Sequence, residues 1–230
     1  MNIEETYLSI SHKLSGPKRQ LVALAFPDTP STKSNIVLES GIILLGAGHV
    51  KNQDAKGAAA DRRQKTIKGE PIVTDPDAFY IINMFTDRKG KPTRFKNPFK
   101  AGDIIEAKAN EFERAVAGRR VFKCDDGYLA LLFFGRLACI HRHGKVLPIG
   151  PSVIPEPLPA ILRPWLIDPK QPKYQRGKGL ILTKGEDKSG RLAGFRSGDV
   201  AMFTSEPYEI HANGKTYWEM LDILIWGKAK

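Results

Sequence analysis

The chain predicts a mostly β protein built as two small β-barrel domains in tandem, the first carrying an insertion. Sixteen prolines and twenty-one glycines punctuate its 230 residues, and the apolar runs between them are short and rich in β-branched or aromatic residues. The phrase Phe99-Lys100-Ala101-Gly102-Asp103-Ile104 returns 96 positions later as Phe195-Arg196-Ser197-Gly198-Asp199-Val200, matching in kind at all six places. Each copy lies downstream of an apolar strand-like run, Leu21 to Phe26 in one and Val146 to Ile154 in the other. A repeat on this scale marks one unit built twice. Many short strands with Gly/Pro turns make that unit a barrel or sandwich.

In chain order, strands are expected at Leu21–Phe26, Phe79–Ile82, Val121–Phe122, Leu129–Phe134, Gly179–Leu182, Val200–Phe203 and Leu221–Ile225. Two stretches read as helical: the Ala-rich, charged segment Gln53 to Arg63, and Asn110 to Ala117. A polar, Gly-containing link at His141 to Lys145 sets the seam, giving domains 1–145 and 146–230. From the first strand to the Gly-Asp turn, copy one is longer by about 36 residues. Gly46 to Asp77 is the expected insertion, which a surface loop tolerates because closure entropy grows only logarithmically.

Lys and Arg number 36 against 25 Asp and Glu, a net charge of +11. That excess permits an acidic partner, but it is spread over Lys65–Lys68, Arg88–Lys91, Arg119-Arg120 and Lys228/Lys230, as on a solvated face. Two cysteines, Cys124 and Cys139, are too few for a disulfide scaffold and suit a reducing compartment. The opening Met1-Asn2-Ile3-Glu4-Glu5-Thr6 carries acid and no long apolar core, so no secretory signal is expected. The longest apolar run, Tyr128 to Phe134, is far short of a membrane helix. A cytoplasmic protein is expected.

The segment from Gln20 to Leu38 is a strand, then the polar Pro27-Asp28-Thr29-Pro30-Ser31-Thr32-Lys33-Ser34-Asn35, then the abrupt aliphatic patch Ile36-Val37-Leu38. Copy two has Val153-Ile154-Pro155-Glu156, then Pro164-Trp165-Leu166-Ile167-Asp168, then Arg176-Gly177-Lys178-Gly179-Leu180-Ile181-Leu182. This order resembles the GroES family, the co-chaperonins that cap chaperonin rings, including shortened phage-encoded members. The resemblance covers most of residues 20–50, 79–134 and 146–226. It implies that Ile36, Val37 and Leu38, and in copy two Trp165, Leu166 and Ile167, dock on chaperonin apical domains from mobile loops. It further implies a homo-oligomeric dome over an unfolded client, no cofactor and no enzymatic activity, with a host cytoplasm as location if the chain is phage-encoded. Trp165 replaces a small aliphatic residue of the family patch. The Gly pair that usually precedes it is Ser34-Asn35 in one copy and Arg163-Pro164 in the other. Copy two has only Lys184 to Gly190 where many members carry a roof hairpin.

Other chemistry is weakly signalled. Alternation puts Cys139, His141 and His143 on one face of a strand, but no second Cys/His pair at zinc spacing follows, so no metal site is expected. Gly46-Ala47-Gly48 and Gly185 to Gly190 lack the endings of nucleotide loops. No nucleophile elbow or paired carboxylate singles itself out. The alternative is a basic β-barrel that binds nucleic acid or builds a virion, with Phe95, Phe99, Phe122 and Tyr128 as stacking platforms.

Overall fold

The structure is a computed structural model, and it describes residues 1–14, 19–26, 35–37, 43–45, 66–72, 75–86, 91–160, 174–204 and 207–229. The expected helix at Gln53 to Arg63 lies outside them. The chain divides into two compact units, Met1–His143 and Gly144–Lys230.

The first unit begins with helix α1 (Ile3–Leu14), a helix beyond the two expected stretches. Asn2 and Glu5 cap it reciprocally: the Glu5 amide donates to Asn2 Oδ1 at 2.8 Å and the Asn2 amide to Glu5 Oε2 at 3.1 Å. Ile3, Tyr7, Ile10 and Leu14 recur at helical spacing and pack on Ala23, Cys124, Leu129 and Leu131. The strands are β1 (Leu21–Phe26), β2 (Asn35–Val37), β3 (Ile43–Leu45), β4 (Thr66–Pro71), β5 (Phe79–Thr86), β6 (Pro92–Lys96), β7 (Ile104–Lys108), β8 (Val121–Cys124), β9 (Gly127–Phe133) and β10 (Leu137–Arg142). Helix α2 (Ala109–Ala117) follows β7 where Asn110 to Ala117 reads as helical. Within this unit the large sheet runs β10-β7-β4-β1-β9-β8, all antiparallel, with β2-β3 and β5-β6 as separate ribbons.

The expected insertion is corrected here. Thr66–Pro71 is not inserted matter but β4, a central strand paired to β1 and β7. Its alternation is real but thin: Ile67 and Gly69 face inward while Lys68 and Glu70 are exposed. Neighbouring strands supply the ladder that its propensity cannot.

The second unit contains β11 (Lys145–Pro148), β12 (Ser152–Pro159), β13 (Tyr174–Lys184), β14 (Val200–Phe203), β15 (Tyr208–Ala212), β16 (Lys215–Leu221) and β17 (Ile225–Lys228). Its sheet runs β17-β14-β13-β12-β16-β15. The expected run Leu221–Ile225 is broken by a 3₁₀ turn at Asp222–Leu224, matching one at Phe134–Arg136 in the first unit. Val153, Leu192, Phe203, Trp218 and Met220 form its core.

The two strand orders correspond place by place, and so does finer detail. Gly69 sits opposite Ile105 in the β4/β7 pair, and Gly179 opposite Ala201 in the β13/β14 pair. Both glycines are required by close approach: a Cβ at Gly69 would stand 2.7 Å from the Phe26 ring, and one at Gly179 2.9 Å from Pro155 Cβ. A bulge interrupts β10 between Leu137 and Cys139 and the β14/β17 pairing between its Met202 and Phe203 rungs, at the same rung of each sheet. Among the described residues neither order returns to its first strand, so these are open antiparallel sheets rather than the closed barrels expected.

Candidate functional site

The repeated phrase forms the same turn twice. Gly102 and Gly198 adopt φ of +80° and +92°, a left-handed conformation that glycine enters without strain. Asp103 then accepts the Lys100 amide at 2.7 Å, and Asp199 the Arg196 amide at 2.7 Å. Each carboxylate meets a base. Arg142 grips Asp103 with two hydrogen bonds of 2.6 Å and also donates to the Pro98 carbonyl at 2.7 Å. Lys228 Nζ lies 2.6 Å from Asp199 Oδ1. Burial alone would push the Asp103 carboxyl up, but the Arg142 guanidinium and the Lys100 amide outweigh it and hold it below the usual carboxylate range. Asp199 is held low by Lys228 and the Arg196 amide. These turns start β7 and β14, the sheet neighbours of β4 and β13.

The long connections emerge at equivalent places. In the first unit, residues 27–65 join β1 to its sheet neighbour β4; in the second, residues 160–173 join β12 to its neighbour β13. All six docking residues expected from sequence fall in these two connections. Ile36 and Val37 lie in β2, paired with Leu44 and Ile43 of β3. Leu38, Trp165, Leu166 and Ile167 lie outside the described residues.

The first unit also carries a ribbon, β5-β6, between β4 and β7, where the second has only the short connection from β13 to β14. Two of its aromatic side chains turn inward on Phe134, Tyr80 stacking on that ring at 4.6 Å and Phe95 lying at 6.2 Å, and Phe99, just past β6, joins them at 6.0 Å, while Phe79 stays exposed. Burial raises the Tyr80 phenol to about 12. Phe95, Phe99 and Tyr128 are therefore core residues, and Phe122 is partly buried against the cluster that includes Tyr7, Leu14 and Leu129, so the expected stacking platforms face inward.

Of the strand-face trio Cys139, His141 and His143, the structure brings two together. His143 sits in the following turn at φ +49° and is exposed. Cys139 and His141 instead meet Glu106 of β7, which sequence reasoning missed; the signal was one acid inside the apolar strand Ile104-Ile105-Glu106-Ala107. His141 Nε2 lies 2.6 Å from Glu106 Oε2 and 3.5 Å from Cys139 Sγ, and the thiol lies 4.0 Å from the same Oε2. Lys68 Nζ stands 3.9 Å from that oxygen.

Compared with known proteins, the chain matches no family model and no curated protein. No helix among the described residues is long and apolar enough to cross a membrane.

Proposed function

We propose that the protein is a tandem co-chaperonin of the GroES type, a lid whose two units each offer one hydrophobic docking segment to a chaperonin ring. One observation carries the reading: two sheets of the same strand order each leave a long connection between the same pair of neighbouring strands, and the apolar patches Ile36-Val37-Leu38 and Trp165-Leu166-Ile167 fall in those two connections. The β5-β6 ribbon stands where family members carry a roof hairpin. The rival nucleic-acid reading rests on net charge alone once its aromatic platforms lie inside.

The energetics suit a lid that must come off. Burying three aliphatic side chains is worth about 1.5–3 kcal/mol each, and ordering several loop residues costs about 1–2 kcal/mol apiece. Each segment alone is weak. Several on one oligomer gain useful affinity through effective concentration. The ATP that drives the cycle belongs to the chaperonin, and the dome encloses the client passively.

The test is co-elution of the full chain with a chaperonin ring and ATP on size exclusion. Wild type should shift into the ring peak, and Val37→Asp or Leu166→Asp should remove most of it. No shift by wild type overturns the function; a wild-type-like shift by both variants overturns the assignment of the segments.

A further inference from the structure

We propose that Glu106, Cys139 and His141 form a zinc-type divalent metal site inside the first unit. The pairing of β7 with β10 sets Cys139 directly opposite Glu106. His141, two residues on, shares its face. The three donor atoms are of three kinds, a carboxylate oxygen, a thiol sulfur and an imidazole nitrogen, and all lie within 4.8 Å of one another. That mixture suits zinc.

The triangle they make can be compared with the one a tetrahedral ion requires. Ordinary zinc bond lengths at tetrahedral angles separate sulfur from nitrogen by about 3.6 Å, nitrogen from oxygen by about 3.4 Å and sulfur from oxygen by about 3.6 Å. The corresponding separations are 3.5, 2.6 and 4.0 Å. Sulfur and nitrogen already stand at ligand distance. Nitrogen and oxygen are drawn together by a direct hydrogen bond, and an ion entering between them opens that edge by about 0.8 Å. Glu106 has three side-chain torsions to do this. Binding exchanges the thiol proton and the proton shared by His141 and Glu106 for the metal.

A nucleophilic cysteine is the competing chemistry, and the geometry opposes it. A base that activates a thiol uses one ring nitrogen for sulfur and the other for its orienting carboxylate. Here the same Nε2 meets both partners. Cys139 is also fully buried, out of reach of a substrate. His141, with a side chain 18% exposed, gives the cluster its contact with solvent, and a water can complete the coordination as in open zinc sites. The Lys68 ammonium opposes a cation here, but its side chain is half exposed and can turn into solvent.

The second unit shows that the sheet does not need these donors. In its register Met202 takes the place of Glu106 and stands opposite Gly227, which takes the place of Cys139. Ala229, whose amide bonds the Val200 carbonyl, takes the place of His141. Lys178 pairs with Met202 as Lys68 pairs with Glu106. An acid placed at this rung must be compensated for its burial, and a metal ion does so.

Titration of the reduced full chain with Co²⁺ in place of zinc tests the site directly. One ion per chain should bind with a thiolate-to-cobalt charge-transfer band that Zn²⁺ abolishes. The band should persist in Cys124→Ser and vanish in Cys139→Ser. Glu106→Met and His141→Ala, which install the residues of the second unit, should each weaken Zn²⁺ binding by more than about tenfold, because even outer-shell changes cost that much. A wild-type chain without the band, or a band surviving Cys139→Ser, overturns the proposal. Should Cys139→Ser fail to fold, His141→Ala decides: Zn²⁺ affinity equal to wild type refutes the site.

Discussion

Phe134 in the first unit and Asp222 in the second occupy one place, the start of the 3₁₀ turn between the fifth and last sheet strands. Their backbones do the same job: the Phe134 amide donates to the Gln20 carbonyl at 2.7 Å and the Asp222 amide to the Pro151 carbonyl at 3.0 Å. Their side chains do different ones. Phe134 anchors the aromatic side of the β5-β6 ribbon. Asp222 accepts the Ser189 hydroxyl at 2.7 Å, holding the short connection that stands where the ribbon would be. The same contrast holds at Glu106, Cys139 and His141 against Met202, Gly227 and Ala229. What recurs is whatever the backbone demands, namely the Gly-Asp turn, the close-approach glycine and the bulge. What differs at these places is the chemistry of side chains the ladder leaves free.

Phe134→Ala tests this with the largest expected effect. Removing a fully buried aromatic ring costs about 3–5 kcal/mol, and here the loss should be confined to the first unit. Fluorescence separates the units, because Trp165, Trp218 and Trp226 all belong to the second. Urea unfolding followed by circular dichroism should show an earlier first transition, while the fluorescence transition stays in place. A coincident shift of both would mean that the units unfold as one.

The paired Gly-Asp turns should differ next. Arg142 and Asp103 expose only 20% and 1% of their side chains, against 49% and 17% for Lys228 and Asp199. Asp103→Ala strands a shielded guanidinium and should cost about 3 kcal/mol; Asp199→Ala should cost clearly less, since an exposed pair is solvent-screened. Both carboxyls are held low in the folded state. Their stabilisation is therefore present above the unfolded-state pKa and lost as pH falls through the folded value. Equal losses for the two variants across acid pH would show that bidentate burial adds nothing to the turn.

Much of this skeleton was legible. The hexapeptide repeat marked the two turns, and the β-branched runs marked β1, β5, β8, β9, β13 and β14, though not β6, β15 or β16. Open sheets rather than closed barrels were not legible, because closure depends on which strands meet at the ends and no local pattern encodes it. β4 was hidden because Thr66-Ile67-Lys68-Gly69-Glu70-Pro71 has one apolar side chain, and its glycine makes sense only beside the Phe26 ring. α1 was readable in the Asn2/Glu5 capping pair and in the spacing of Ile3, Tyr7, Ile10 and Leu14. Glu106 was marked only as an acid in an apolar strand, and its pairing was beyond reach: its partners lie on a strand more than thirty residues away, and only the bulged β7/β10 register brings Cys139 to face it.

Asp222 supplies the smallest test, and its sign opposes that of Asp103. Burial raises its carboxyl above the ordinary range, an effect the Ser189 hydroxyl only partly offsets. The folded state therefore takes up a proton at a pH where the unfolded chain remains ionised. Stability falls as pH rises from the unfolded pKa through the raised one, and at neutral pH the ionised carboxylate is a cost. Asp222→Asn removes the titration and keeps an acceptor for Ser189. Relative to this variant, wild type should lose stability between mildly acid and neutral pH, by less than either change above, in the fluorescence-detected transition of the second unit. A difference that grows in favour of wild type as pH rises would mean that the carboxylate is stabilised as the anion, and that the turn holding the short connection is built like the Gly-Asp turns after all.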